Sequence, residues 1–214
     1  MNNVTIKTSD FTPNDLTQVV RIHREQINQG FLSSLGDDVM KLVFANIIDS
    51  KHSFLIVAVD PSQKSLCGFL CGTVDVRKLY GNFVFKKFFR AIPIILPKVL
   101  TAERMKKILE TLIYPLKGDH ESLPRAEFLD FALKPEYQGT GLAQQMFYEA
   151  INIYNALGIK KFKSVVNEKL IASQRFHEKL GAEKVSCVQI HKGQNSIVYV
   201  FDVVSITRNR ILSC

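Results

Sequence analysis

The spacing of apolar positions changes several times along the chain, and each change marks an element. Val4–Lys7 alternates like a short strand. Helix-start residues in SDFTPNDL precede Leu16, Val19, Val20, His23 and Ile27, which recur at helical spacing until Gly30. SSLGDDVMKLVFANII restarts a helix, with Val39, Leu42, Val43 and Ile47 as its apolar stripe. Ser53–Val59 reads as a buried strand, and across the turn DPSQKS its hairpin partner is Leu66–Val76. Residues 77–125 break this regularity with aromatic and basic residues and Pro93, Pro97 and Pro115, and they predict helices on each side of the first proline pair. Order returns with a strand at Glu127–Leu133, the turn KPEYQGTG and a helix from Leu142 to Ala156. A strand at Lys163–Val166, a short helix at Ile171–Leu180 closed by Gly181, and a hairpin of 183–191 and 195–204 complete the chain. This order predicts an α/β (α+β) fold, one domain over 1–204 with an insert at 77–125 and a C-terminal tail at 205–214.

Composition narrows the setting. At 214 residues and 46% hydrophobic, the chain suits one domain with a full core. The start MNNVTIKTSD lacks the apolar core of a secretory signal, and no apolar run approaches the ~20 residues of a membrane span. Cys67, Cys71, Cys187 and Cys214 are scattered, without the tight pairs or nearby histidine of a metal site. They read as buried, inert thiols, Cys67 and Cys71 sharing a strand face, and the expected location is a reducing cytoplasm. The net charge of +8 is concentrated: Arg77–Lys117 holds ten Lys or Arg against Glu103 and Glu110, while the remainder is neutral. A local anionic partner follows from that, with no recognition motif for nucleic acid.

The stretch Phe128–Ala150, FLDFALKPEYQGTGLAQQMFYEA, carries the clearest chemistry. A strand meets a glycine-rich turn that opens a helix. Gly139 and Gly141 admit positive φ and close approach, and the free N–H groups of a helix start favour an anion such as a pyrophosphate. It is neither a P-loop nor GxGxxG. Gln138-Gly139-Thr140-Gly141-Leu142-Ala143, with Leu133-x-Pro135 before it, resembles motif A of the GNAT (general-control-type N-acetyltransferase) superfamily. The resemblance implies a mixed, mostly antiparallel sheet flanked by helices, acetyl-CoA as acyl donor, no metal, and an amine as acceptor. It implies that the backbone of Phe131, Ala132 and Leu133 pairs with the pantetheine arm. Gln138, Gly139, Thr140, Gly141, Leu142, Ala143 and Gln144 would cradle the pyrophosphate.

Amide formation needs a neutral amine, so a carboxylate must take a proton from an ammonium of pKa ~10. Glu127 matches the position of the glutamate base in histone-type members. Asp130 competes: alternation puts it on the opposite face, unless the strand carries the bulge common in this family. VVNEKLIASQRFHEKLGAEKV resembles motif B. Aligned on Gly181, Ser173 takes the Ala/Ser position, His177 the tyrosine that protonates the leaving thiolate, Leu170 the asparagine and Ala182 the phenylalanine. Asn167 is a candidate substitute for the missing amide. His177 can donate near neutral pH, or merely flank the stripe of Ala172, Phe176 and Leu180. The other histidines, His23 included, take no role. The insert, which resembles in style GNAT-like proteins of bacterial surface-polysaccharide pathways, reads as a lid for an anionic acceptor, a segment resting weakly on an anionic membrane through 77–117, or a solvated helical pair.

Overall fold

The computed structural model describes residues 4–27, 31–34, 36–86, 123–191 and 194–212. Its elements run β1 (Thr5–Lys7), α1 (Pro13–Gln26), α2 (Phe31–Ser34), α3 (Asp37–Asp49), β2 (Ser53–Asp60), β3 (Ser65–Thr73), α4 (Val76–Lys86), β4 (Glu127–Leu133), a 3-10 turn (Pro135–Tyr137), α5 (Leu142–Ala156), β5 (Lys161–Asn167), α6 (Ile171–Lys179), β6 (Glu183–His191), β7 (Gln194–Asp202) and α7 (Val203–Leu212). Seven strands form one sheet in the order β1-β2-β3-β4-β5-β7-β6. Every neighbouring pair is antiparallel except β4–β5, which is parallel.

Helices cover the sheet on both faces. The α1 helix starts on a capping box: the Thr12 hydroxyl accepts from the Asp15 amide at 3.1 Å, and the Asp15 carboxylate accepts from the Thr12 amide at 2.8 Å. Such a cap contributes about 1 kcal/mol. Val19 and Ile22 of α1 and Met40, Phe44 and Ile47 of α3 pack on Leu55, Val57, Phe69, Cys71 and Ala132. On the other face Met146, Phe147, Ala150 and Tyr154 of α5 pack on Ile56, Leu70, Phe128, Phe162 and Phe201. The period of 2 in β2 explains the split, since Leu55 and Val57 face one layer and Ile56 and Ala58 the other.

Several local expectations change. The α3 stripe includes Met40 and Phe44 in place of Leu42 and Val43, which are only half-buried. The β3 strand stops at Thr73 rather than Val76, because the Asp75 carboxylate accepts from the Lys78 amide at 3.1 Å and starts α4. Cys67 and Cys71 lie on opposite faces, one in each core layer. The register jumps from Ala58↔Gly68 to Val59↔Leu66, leaving Cys67 as the extra residue of a bulge that inverts the alternation. Both thiols are buried as expected, but Cys187 is exposed; Cys214 lies outside the described residues. Beyond β7, Asp202 accepts from the Ser205 amide at 2.9 Å and opens α7, whose Val203 is fully buried in the α5 layer.

The insert leaves and re-enters the fold at one place, since the Val76 amide donates to the Arg125 carbonyl at 2.9 Å. Residues 77–86 belong to α4 and 123–125 lead into β4. The rest, with Lys87, Arg90 and the helices expected around the prolines, lies outside the described residues.

Candidate active site

The parallel strands β4 and β5 are joined at one end only. Their ladder consists of Glu127↔Lys163 and Phe128↔Ser164. Beyond it, β4 stays paired with β3 as far as Leu133↔Gly68, and β5 with β7 as far as Asn167↔Ser196. Each strand is thus held from behind while the two facing edges separate. The resulting wedge offers main-chain N–H and C=O groups to an extended, amide-bearing ligand. At its closed end Tyr154 of α5 donates to the Glu127 carbonyl at 2.8 Å. Phe131, Ala132 and Leu133 all lie on the open β4 edge. Phe131 packs its ring 5.6 Å from Phe176 and Leu133 joins the α5 layer, while Ala132 faces α1.

The glycine-rich turn follows directly. Gly139 and Gly141 have φ of 73° and 87°, and a Cβ on either would meet nothing within 4 Å, so both point into open space. Gly141 is the left-handed N-cap of α5, which leaves the amides of Leu142, Ala143 and Gln144 without helical acceptors. The turn is fixed from beneath. Gln138 Nε2 donates to the Leu133 carbonyl at 3.2 Å, and Thr140 Oγ1 donates to the Tyr137 carbonyl at 2.8 Å. Tyr137 in turn donates to the fully buried Asp60 at 2.7 Å, tying the turn to the end of β2. Gln144 reaches the Tyr148 hydroxyl at 3.2 Å.

Both candidate carboxylates lie on one face. The β3–β4 register passes from Cys71↔Asp130 to Gly72↔Phe128, so Leu129 is a bulge residue. Leu129 packs in the α1 layer and Asp130 meets His23 of α1, whereas Phe128 and Phe131 sit in the α5 layer. The bulge therefore turns Asp130 to the side that Glu127 occupies. Their surroundings differ. Glu127 Oε2 lies 2.8 Å from Lys163 Nζ, which also donates to the Pro124 carbonyl at 2.9 Å. Asp130 is 28% exposed, and its Oδ2 lies 3.6 Å from Nε2 of the buried His23. Tyr80 of α4 completes this side. Loss of water around its hydroxyl, reinforced by Glu127, Asp130 and Cys71, holds the phenol above its usual range.

His177 does not reach this face. It is the buried residue of α6, opposite Phe128, Tyr199 and Phe201. Nδ1 donates to the Ser173 carbonyl at 2.7 Å, which leaves Nε2 to accept from the Ser164 hydroxyl at 2.9 Å. Both nitrogens are used and neither presents a hydrogen to the wedge. Burial holds the imidazole below its ordinary value, against the bond to Ser173. The unfolded chain therefore takes up this proton more readily, and stability rises with pH between the lowered folded value and the ordinary ~6.5. Melting temperature is expected to fall on acidification below about pH 6.5, and less steeply in His177→Gln. Equal pH slopes in the two proteins would refute this assignment.

The remaining motif B positions are local. Asn167 Oδ1 accepts from the Lys169 amide at 2.9 Å, closing the turn after β5. Ser173 contributes the carbonyl that holds His177. Leu170 and Ile171, at the start of α6, are exposed.

Comparison with known proteins agrees with this architecture. The model of the acetyltransferase (GNAT) family matches residues 21–182. The chain belongs to the GNAT acetyltransferase family. Among curated proteins none matches the sequence significantly. Solved structures share the fold at low identity. SsHAT is 14% identical with a TM-score of 0.66, covering 93% of this chain and 98% of that one. A Desulfovibrio desulfuricans acetyltransferase ascribed to the GNAT family is 15% identical with a TM-score of 0.60, covering 94% and 99%. Arabidopsis thaliana NAA60 in complex with acetyl-CoA is 13% identical with a TM-score of 0.57, covering 94% and 99%. None of these supports the resemblance to polysaccharide-pathway proteins. As a GNAT acetyltransferase the chain uses acetyl-CoA. Among the described residues no His, Cys, Asp and Glu group is placed to hold a metal, and no helix is long and apolar enough to cross a membrane.

Sequence reasoning left out His23, Lys163 and Tyr80. His23 carried the one available signal, a polar residue inside the apolar stripe of α1.

Proposed function

We propose that the chain acetylates the amine of a small acceptor that also carries negative charge, by direct attack of that amine on the thioester. The observation that carries this reading is the pair of carboxylates on one face of β4, Glu127 at the closed end of the wedge and Asp130 beyond the ladder, where the strands separate. The acceptor nitrogen forms its bond to the acyl carbon as the carbon–sulfur bond breaks, and its proton passes to a carboxylate. Main-chain amides of β4 facing the wedge are suited to receive the charge that develops on the acyl oxygen. Direct attack is favoured over a cysteine intermediate. The cysteines on β3, the strand paired with β4, are Cys67 and Cys71; both are fully buried, and burial raises both thiols above their usual range, while the exposed Cys187 lies on the far edge strand β6.

The carboxylates suit the ammonium end of the acceptor, and the +8 of Arg77–Lys117 suits an anionic end such as a phosphate or carboxylate. A segment of that charge raises the local concentration of an anion, with screening over ~8–10 Å at physiological salt. The test is thiol release from acetyl-CoA with amines matched in size but differing in charge. Anionic amines are expected to show the lowest KM, and Lys86→Gln/Lys87→Gln/Arg90→Gln to raise it and flatten its salt dependence. Equal KM for cationic and anionic amines would remove the anionic acceptor. Absence of thiol release with every amine, despite bound acetyl-CoA, would remove the transferase reading in favour of a ligand-binding role. Loss of anionic-liposome binding with unchanged soluble kinetics would assign the charge to a membrane surface.

A further inference from the structure

His23 is 2% exposed and lies under the acceptor face, in the layer between α1, α3 and the sheet. Its ring meets Phe44 of α3 edge-on at 5.6 Å and stacks on Phe69 of β3 at 6.2 Å. Two polar groups flank it. Ser33 Oγ of α2 lies 3.3 Å from Nδ1, and Asp130 Oδ2 lies 3.6 Å from Nε2.

The serine decides which nitrogen carries hydrogen. A hydroxyl has one hydrogen, and Ser33 gives it to the Ile27 carbonyl at 2.5 Å. Towards His23 it can only accept. Nδ1 is therefore the donor, and in the neutral ring the lone pair of Nε2 points at a carboxylate oxygen. An imidazole nitrogen and a carboxylate oxygen facing one another in this way can hold one proton between them. Tyr80 from α4 and Cys71 from β3 lie near Asp130, and Tyr80 also lies near Glu127 of β4, which is paired with Lys163 of β5.

We infer that His23 and Asp130 act as one proton-accepting pair, in which Asp130 meets the acceptor amine and His23 is its positioning residue. This rests on the acetyl-transfer reading. The acceptor ammonium gives one proton to the neutral-His23, ionised-Asp130 pair, where it is held between Nε2 and Oδ2. The freed amine lone pair forms the C–N bond, the C–S electrons leave on sulfur, and the second amine proton ends on the thiol. The partly exposed Asp130 then returns the first proton to water, so the reaction releases one proton overall.

His23→Gln keeps an amide near Nε2 but cannot exchange the proton. It should lower kcat for the amine by about 10- to 100-fold, the low end of general-base contributions, with KM for acetyl-CoA unchanged. The loss should shrink as pH rises and the acceptor deprotonates unaided. In Asp130→Asn, adding His23→Gln should lower kcat little further, because both substitutions remove one unit. Additive losses, or a loss that is the same at every pH, would reduce His23 to a core residue and overturn the inference. Ser33→Ala provides a variant that leaves the buried ring in place. Nitrogen-15 NMR of the neutral ring should find hydrogen on Nδ1 in the unmodified protein and a shift towards Nε2 in Ser33→Ala. Hydrogen on Nε2 in the unmodified protein would overturn the inference without reference to turnover. If acetyl transfer persists at full rate in Asp130→Asn, the pair fails while the transferase reading stands. If no amine is acetylated at all, the reading beneath it fails and the catalytic inference falls with it.

Discussion

Asp130→Asn should lower acetylation of an amine by ~10²–10⁴-fold and leave acetyl-CoA affinity unchanged, because it removes proton acceptance without altering shape. Asparagine keeps the outline of the side chain, and the β4 groups proposed to face the pantetheine arm are main chain. The defect should shrink at high pH. Glu127→Gln should behave differently. Its carboxylate pairs with Lys163 at 2.8 Å and is 17% exposed, so the exchange leaves a mostly buried ammonium facing only neutral acceptors, the new amide oxygen and the Pro124 carbonyl. Breaking a largely buried pair from one side destabilises by up to a few kcal/mol. A lowered melting temperature with a small, pH-independent rate change is the expected outcome. A pH-rescued rate loss in Glu127→Gln, with none in Asp130→Asn, would return the base role to Glu127.

The strands and helices around motif A were legible because each carries its own period. Glu127–Leu133 and Leu142–Ala156 have the bounds read from their patterns. Local spacing did not show the places where the period slips by one residue, although the family resemblance raised the bulge in β4. Alternation alone put Cys67 and Cys71 on one face and Asp130 opposite Glu127. Bulges at Cys67 and Leu129 reversed both relations. A bulge is set by pairing with the next strand, and no local spacing announces it. His177 escaped for a different reason. Alignment supplied the tyrosine position, but Ser164, thirteen residues away on β5, decides where the imidazole hydrogen points. The carboxylate pairings were invisible in the same way, since Lys163 and His23 reach β4 from a neighbouring strand and from the first helix, far away in the sequence.

The glycine turn is the part of the site where one atom changes most. Gly141→Asp should weaken acetyl-CoA at least tenfold, about 1.4 kcal/mol. Two effects act together. Gly141 has φ of 87°, a left-handed conformation that disfavours a side chain by roughly 1–2 kcal/mol. Its Cβ would meet nothing within 4 Å, so the new carboxylate would enter the space in front of the Leu142, Ala143 and Gln144 amides. There it would satisfy the helix start itself and repel a pyrophosphate. Gly141→Ala separates the contributions, carrying the backbone strain without the charge. It should lower stability while reducing affinity less than Gly141→Asp. Calorimetry on the folded variants reads both values. Unchanged acetyl-CoA affinity in folded Gly141→Asp would mean that the pyrophosphate is held elsewhere, and that the turn serves only to start α5.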